Sequence, residues 1–172
     1  MKKITVASLF IALLLAGSIV AKGQATPRFQ DYSVAVYKGK RAPVNLKSAE
    51  GAETFRTRLR EGAAKGVNFA GRYTLVVWGC GTGCLSGGII DARTGTVYFP
   101  RELGGFGVWY FSDNPNAEAL EFKANSRLLV LSGFPATQAD ADNPKTGLYY
   151  YEWTGTRLRL IKFVAKSREE GR

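Results

Sequence analysis

Residues 66–100 read GVNFAGRYTLVVWGCGTGCLSGGIIDARTGTVYFP, and their period decides the fold. Arg72 to Gly79 and Leu85 to Asp91 are apolar runs rich in Val, Ile, Leu and aromatic residues. A glycine-rich turn carrying the chain's 2 cysteines, Cys80 and Cys84, joins them. Such runs bounded by turn residues predict strands. Asp91-Ala92-Arg93-Thr94-Gly95 then turns the chain into a third strand, Thr96 to Phe99, with glycine where positive φ is expected.

Working outward, the period of two persists. Gly107 to Phe111, Ala119 to Lys123 and Arg127 to Ser132 predict three more strands, the last two meeting at the Asn125 turn. Gly147 to Trp153 and Leu158 to Val164 form a final hairpin around Gly155, and a charged tail begins at Ala165. Upstream, Asp31 to Tyr37 has strand composition. Ser48 to Lys65 predicts one helix, with Ser48 as its cap, Glu50 and Glu53 at its positive end, and Gly66 as its stop. Ala52, Phe55, Leu59 and Ala63 share one apolar stripe at helical spacing. Regular strand–turn spacing without crossover helices predicts a mainly β (α+β) fold. The expected architecture is an antiparallel meander forming a curved sheet or sandwich, with one N-terminal amphipathic helix packed on it. Hairpins resembling propeller blades recur, but the chain is too short for four four-stranded blades.

The N-terminus reads as an export signal. Lys2 and Lys3 precede the largely apolar Ile4 to Ala16, and Gly23-Gln24-Ala25 offers small residues at the cleavage positions. The apolar run is shorter than a membrane span requires. A retained anchor is the alternative. Ser18 stands where a lipobox would need cysteine, so there is no thiol to acylate. Residues 1–25 are expected to be a cleaved signal peptide, and 26–172 one globular domain. The product would be periplasmic or secreted, with no membrane span after cleavage. The chain's net charge of +10 falls to +7 when Lys2, Lys3 and Lys22 are removed. That charge serves solubility and also attracts anionic partners.

In an oxidising compartment Cys80 and Cys84 are expected to be bonded. Three residues separate them, unlike the two of thioredoxin-type centres, and the chain has 0 histidines. A thiolate zinc site therefore has too few ligands. Closing a ring of about five residues contributes about 2 kcal/mol. The bridge thus chiefly fixes a local shape, a stapled hairpin turn, although a small ring could also be a redox pair. Gly79, Gly81, Gly83, Gly87 and Gly88 permit tight turning or an anion-binding nest. Strand residues Ile89 and Ile90 follow them, so the phosphate-loop and dinucleotide patterns do not fit.

Three runs carry a resemblance: Asn68-Phe69-Ala70-Gly71-x-Tyr73, Trp78-Gly79-Cys80-Gly81-x-x-Cys84, and Ile90-Asp91-x-x-Thr94-Gly95-x-Val97-Tyr98. Together they resemble the core of a family of small exported bacterial proteins of unknown function. The resemblance implies a shared fold and export but brings no activity. The family pattern carries histidine after Asn-Phe-Ala-Gly, where this chain has Arg72. A role needing an imidazole there is unavailable to it.

Without histidine, Ser-His and Cys-His catalysis are excluded. Asp91, Glu102, Asp113, Glu118 and Glu121 remain as carboxylates for acid–base work on glycans. Asp140-Ala141-Asp142-Asn143 lacks the glycine and closing Glu of a calcium loop. Consecutive Tyr149, Tyr150 and Tyr151 must divide between two faces, so one must be exposed or meet a second layer. Arg56, Arg60, Arg72, Arg101, Arg157 and Arg159 beside aromatic residues suit anionic recognition.

The preferred reading is a non-enzymatic binding or inhibitor-like module. It would present the stapled loop through Trp78, Gly79, Gly81, Thr82, Gly83 and Arg72 to an acidic envelope protein or an anionic envelope polymer. No catalytic residue, metal or cofactor is assigned, and nucleic acid is not expected outside the cell. The alternative is a secreted carboxylate-dependent hydrolase acting on an envelope glycan.

Overall fold

The computed structural model describes residues 25–109 and 118–167. The expected signal peptide lies outside them except for Ala25, as do Tyr110, Phe111 and Asp113. No helix among the described residues is long and apolar enough to cross a membrane.

The strands are β1 Tyr73–Gly81, β2 Cys84–Asp91, β3 Val97–Tyr98, β4 Gly104–Val108, β5 Leu120–Phe122, β6 Leu128–Phe134, β7 Gly147–Trp153 and β8 Leu158–Ala165. They form one antiparallel sheet in the order β1-β2-β4-β6-β7-β8. Short β3 shares an edge of β2 with β4, and β5 shares an edge of β6 with β4. Of the two architectures expected, the curved single sheet is the one formed.

Alternation of side chains along the strands builds two layers of core. Leu129, Leu131, Tyr149, Tyr151 and Trp153 face one side, with Tyr73, Leu75, Ile89 and Phe106 from the far strands. The sheet curls until Tyr73 on β1 and Trp153 on β7 lie 5.4 Å apart between ring centres. Leu128, Val130 and Tyr150 face the other way and are covered by Phe29 and Tyr32. The tyrosine run is thus divided, and its odd member meets a second layer.

Burial pushes the Tyr151 hydroxyl well above the ordinary tyrosine range, with Glu102 and Tyr149 adding to the effect. A raised value favours the neutral phenol in the folded state. Its contribution to stability is intact below the unfolded value near ~10 and is lost as pH rises from there. Tyr151→Phe should therefore change stability little at pH ~7 yet flatten the alkaline limb of a pH–stability profile followed by circular dichroism. An alkaline limb as steep as that of wild type would contradict this.

The helix, α1, spans Arg56–Lys65, eight residues shorter at its start than the sequence suggests. Gly51 has φ +77°, which breaks the helical path, and residues 51–55 are turns. Ser48 is not the cap. It ends a 3-10 turn, Leu46–Ser48, and its hydroxyl accepts from the Val97 backbone N–H at 2.8 Å, tying that turn to β3. The C-terminal expectation holds, because Gly66 closes the helix through its N–H to the Ala63 carbonyl. Arg41 caps the same end by donating to the carbonyls of Ala63 and Ala64. Leu59 is fully buried with Ala52, Ile90 and Val97, so α1 lies over the outer face of β1 and β2.

Asp31 to Tyr37 is not a strand. Arg28 and Asp31 cap a 3-10 turn, Phe29–Tyr32, and the chain then continues extended with a single bridge from Ser33 to Ser126.

Candidate functional site

The β1–β2 hairpin has a distinct region at each end. At the closed end, Trp78 pairs with Ser86, Gly79 with Leu85, and Gly81 with Cys84, leaving Cys80 as the bulged residue. Cys80 and Cys84 form the expected disulfide, with Cα atoms 5.2 Å apart. Thr82 and Gly83 make the turn, and Gly81 and Gly83 hold positive φ that other residues rarely adopt. From β4, the Val108 N–H donates to the Gly83 carbonyl at 2.9 Å. Residues 79–83 are all exposed. A side chain added at Gly79, Gly81 or Gly83 would meet nothing within 4 Å. Bare peptide is therefore displayed beside a hollow of about 320 Å³ lined by these glycines, Leu85 and Val108.

Trp78 does not join this surface. It is buried beneath the tip, its ring 4.8 Å from that of Phe55. Arg72 lies at the open end of the hairpin, a strand's length away, roughly 25–30 Å. Of the residues expected to bind together, Gly79, Gly81, Thr82 and Gly83 are contiguous, whereas Trp78 supports them and Arg72 belongs elsewhere.

At the open end, the Asn-Phe-Ala-Gly run folds into a tight corner. Phe69 and Tyr73 exchange backbone hydrogen bonds at 3.0 and 2.9 Å, with Ala70 at φ 46° between them. Asn68 lends its side-chain amide to the free edge of β1, accepting from Leu75 N–H at 2.7 Å and donating to its carbonyl at 2.9 Å. Arg72 Nε donates to Asp91 Oδ2 at 2.9 Å, and its Nη2 donates to the Tyr73 hydroxyl at 3.0 Å. Asp91 also accepts from the Arg93 N–H at 2.8 Å, fixing the turn into β3.

The curl brings Arg127 and the β7–β8 turn to the same place. Arg127 and Arg159 both bond Glu152, and the hydrogen bond from Arg159 holds that carboxyl below the usual range. A cavity of about 430 Å³ results, walled by the extended Val34–Tyr37 segment, Ala70–Tyr73, Arg93, Arg127 and Trp153–Gly155. Sequence reasoning missed Arg93, Arg127 and Trp153 as neighbours of Arg72. Only the Arg93 link was within its reach, through the short turn after Asp91.

Compared with protein-family models, curated proteins and solved structures, the chain has no match.

Of the carboxylates considered for catalysis, Asp91 is buried and committed to Arg72. Glu102 is half-buried in the turn before β4, and Glu118 and Glu121 are exposed. Among the described residues, no group of three or more acidic or cysteine side chains could hold a metal. Asp140 to Asn143 form an exposed loop.

Proposed function

We propose that this protein is an exported, non-enzymatic binding or inhibitor-like module that presents its disulfide-held glycine loop to an acidic partner of the cell envelope. The observation that carries the reading is Gly79. Its φ is ordinary and its side-chain position is open, so the fold makes no demand for glycine there. A residue with no structural reason to be bare, beside a rigid and exposed turn, suits a surface that another protein approaches closely. The tip itself carries no charge. Attraction to an acidic partner would come from Arg56, which follows the Phe55 that packs on Trp78, and from Arg101 ahead of Gly104, the neighbour of Ser86. Export, and kinship with small exported bacterial proteins sharing the three sequence runs, belong to the same proposal.

Two variants test it in pull-downs from envelope extract. Gly79→Trp should leave stability within about 0.5 kcal/mol, as an exposed substitution, yet abolish partner recovery. Cys80→Ser/Cys84→Ser should lower stability by about 2 kcal/mol, remain folded, and recover about tenfold less partner. Equal recovery by wild type and both variants would remove the loop from the function. Intact mass of material from the periplasmic fraction tests export, with Thr26 expected as the first residue.

A further inference from the structure

We propose that the cavity at the open end of the hairpin is a separate binding site for a small organic acid, a single carboxylate on a compact apolar or ring-shaped body. Three guanidinium-bearing residues line it, Arg72, Arg93 and Arg127, and no carboxylate does. Their commitments differ. Arg72 is paired with Asp91, and Arg127 shares Glu152 with Arg159. The Arg93 guanidinium makes no hydrogen bond or ion pair among the described residues, since only its backbone N–H is engaged. One uncommitted planar cation matches one carboxylate, which it can grip with two parallel N–H donors.

The rest of the wall sets the body of the ligand. Val34, Val36 and Ala70 are apolar, and Trp153 and Tyr73 add aromatic surface. The Trp153 indole N–H is itself buried and has no acceptor among the described residues, so it lies behind the wall and is not open to the cavity. At about 430 Å³ the cavity falls within the range of small-molecule sites. Its walls come from the Ala70–Tyr73 corner, the β2–β3 turn and the β7–β8 turn, each fixed by backbone hydrogen bonds, so the site is largely formed before a ligand arrives.

The test is an amide-resonance titration with three probes: benzoate, benzamide and inorganic phosphate. Benzoate should saturably shift Gly71, Gly155 and the Trp153 indole signal. Benzamide and phosphate should each bind at least about tenfold more weakly, lacking respectively the charge and the apolar body. Arg93→Gln, an exposed substitution, should keep the wild-type spectrum elsewhere and weaken benzoate about tenfold or more. The Cys80→Ser/Cys84→Ser variant should bind benzoate as wild type does, which separates this site from the proposed loop surface. Four results would each overturn the proposal. These are no saturation by benzoate, shifts confined to another region, benzamide or phosphate binding as tightly as benzoate, and unchanged benzoate affinity in Arg93→Gln.

Discussion

Trp153→Ala should lower the free energy of unfolding by about 3–5 kcal/mol, the range for deleting a large aromatic side chain from a packed core. Trp153 is 1% exposed, and its ring lies 6.4 Å from Phe69, 5.4 Å from Tyr73 and 5.5 Å from Tyr98. Those partners come from the corner before β1, from β1 and from β3, whereas Trp153 ends β7. In the ladder, β2, β4 and β6 separate β1 from β7, and β1 does not pair with β8. The curl is therefore held across its mouth by side-chain packing centred on this indole, together with backbone hydrogen bonds from Ala70 and Gly71 to the Ser126 and Ala124 carbonyls. Since a domain's whole stability is typically about 5–15 kcal/mol, the loss would be a large share of it. Urea unfolding followed by circular dichroism measures the effect, with Trp153→Phe as the companion variant that keeps part of the contact and should cost less. A loss below about 1 kcal/mol for Trp153→Ala would mean that the curl does not depend on this contact.

The parts of this fold legible in the sequence are those whose causes are local. Strand β7, Gly147–Trp153, is as expected from end to end, because Thr154-Gly155 stops it and a polar loop precedes it. The stapled turn followed from two cysteines and three residues between them. The helix starts later than its local chemistry suggests. Ser48, Glu50 and Glu53 have the chemistry of a capped first turn, but one glycine at φ +77° redirects the chain, and Ser48 serves β3 instead.

Trp78 was misjudged on parity. Val76 and Trp78 lie on the helix side, Trp78 against Phe55 and Phe99, while Tyr73, Leu75 and Val77 point into the curl. The alternation was readable, but which face the helix would cover was not. Arg72 and Asp91 meet because Tyr73 pairs with Asp91, a register that depends on the one-residue bulge at Cys80: counted from Gly81 opposite Cys84 without it, Thr74 would face Asp91. Arg127 and Trp153 were beyond reach of the sequence, because curvature summed over several strands brings them to that pair, and no short window encodes it.

The seam between the two halves of the sheet is a place where a single methyl group should do heavy damage. In the sheet, strands β1 to β4 and β5 to β8 meet through β4 and β6, which among the described residues share two paired positions, Gly107 with Phe134 and Val108 with Gly133, followed by a hydrogen bond from the Trp109 N–H to the Ser132 carbonyl. Gly133 has φ +132°, and a Cβ there would lie 2.0 Å from the Gly107 carbonyl oxygen and 3.0 Å from the Trp109 nitrogen. Both obstacles are backbone atoms of the adjoining strand, so no side-chain rotation relieves them. Gly133→Ala therefore combines backbone strain with overpacking, at a cost of about 3 kcal/mol or more. The control is Gly79→Ala, which adds the same methyl group in open space at an ordinary φ and should be nearly neutral. Hydrogen exchange gives the distinctive readout: in Gly133→Ala, amides of β4 and β6 around the seam should lose protection before those of the β7–β8 hairpin. If protection fell evenly through the sheet, or if both alanine variants proved equally stable, the two-position seam would not be the weak joint that its geometry implies.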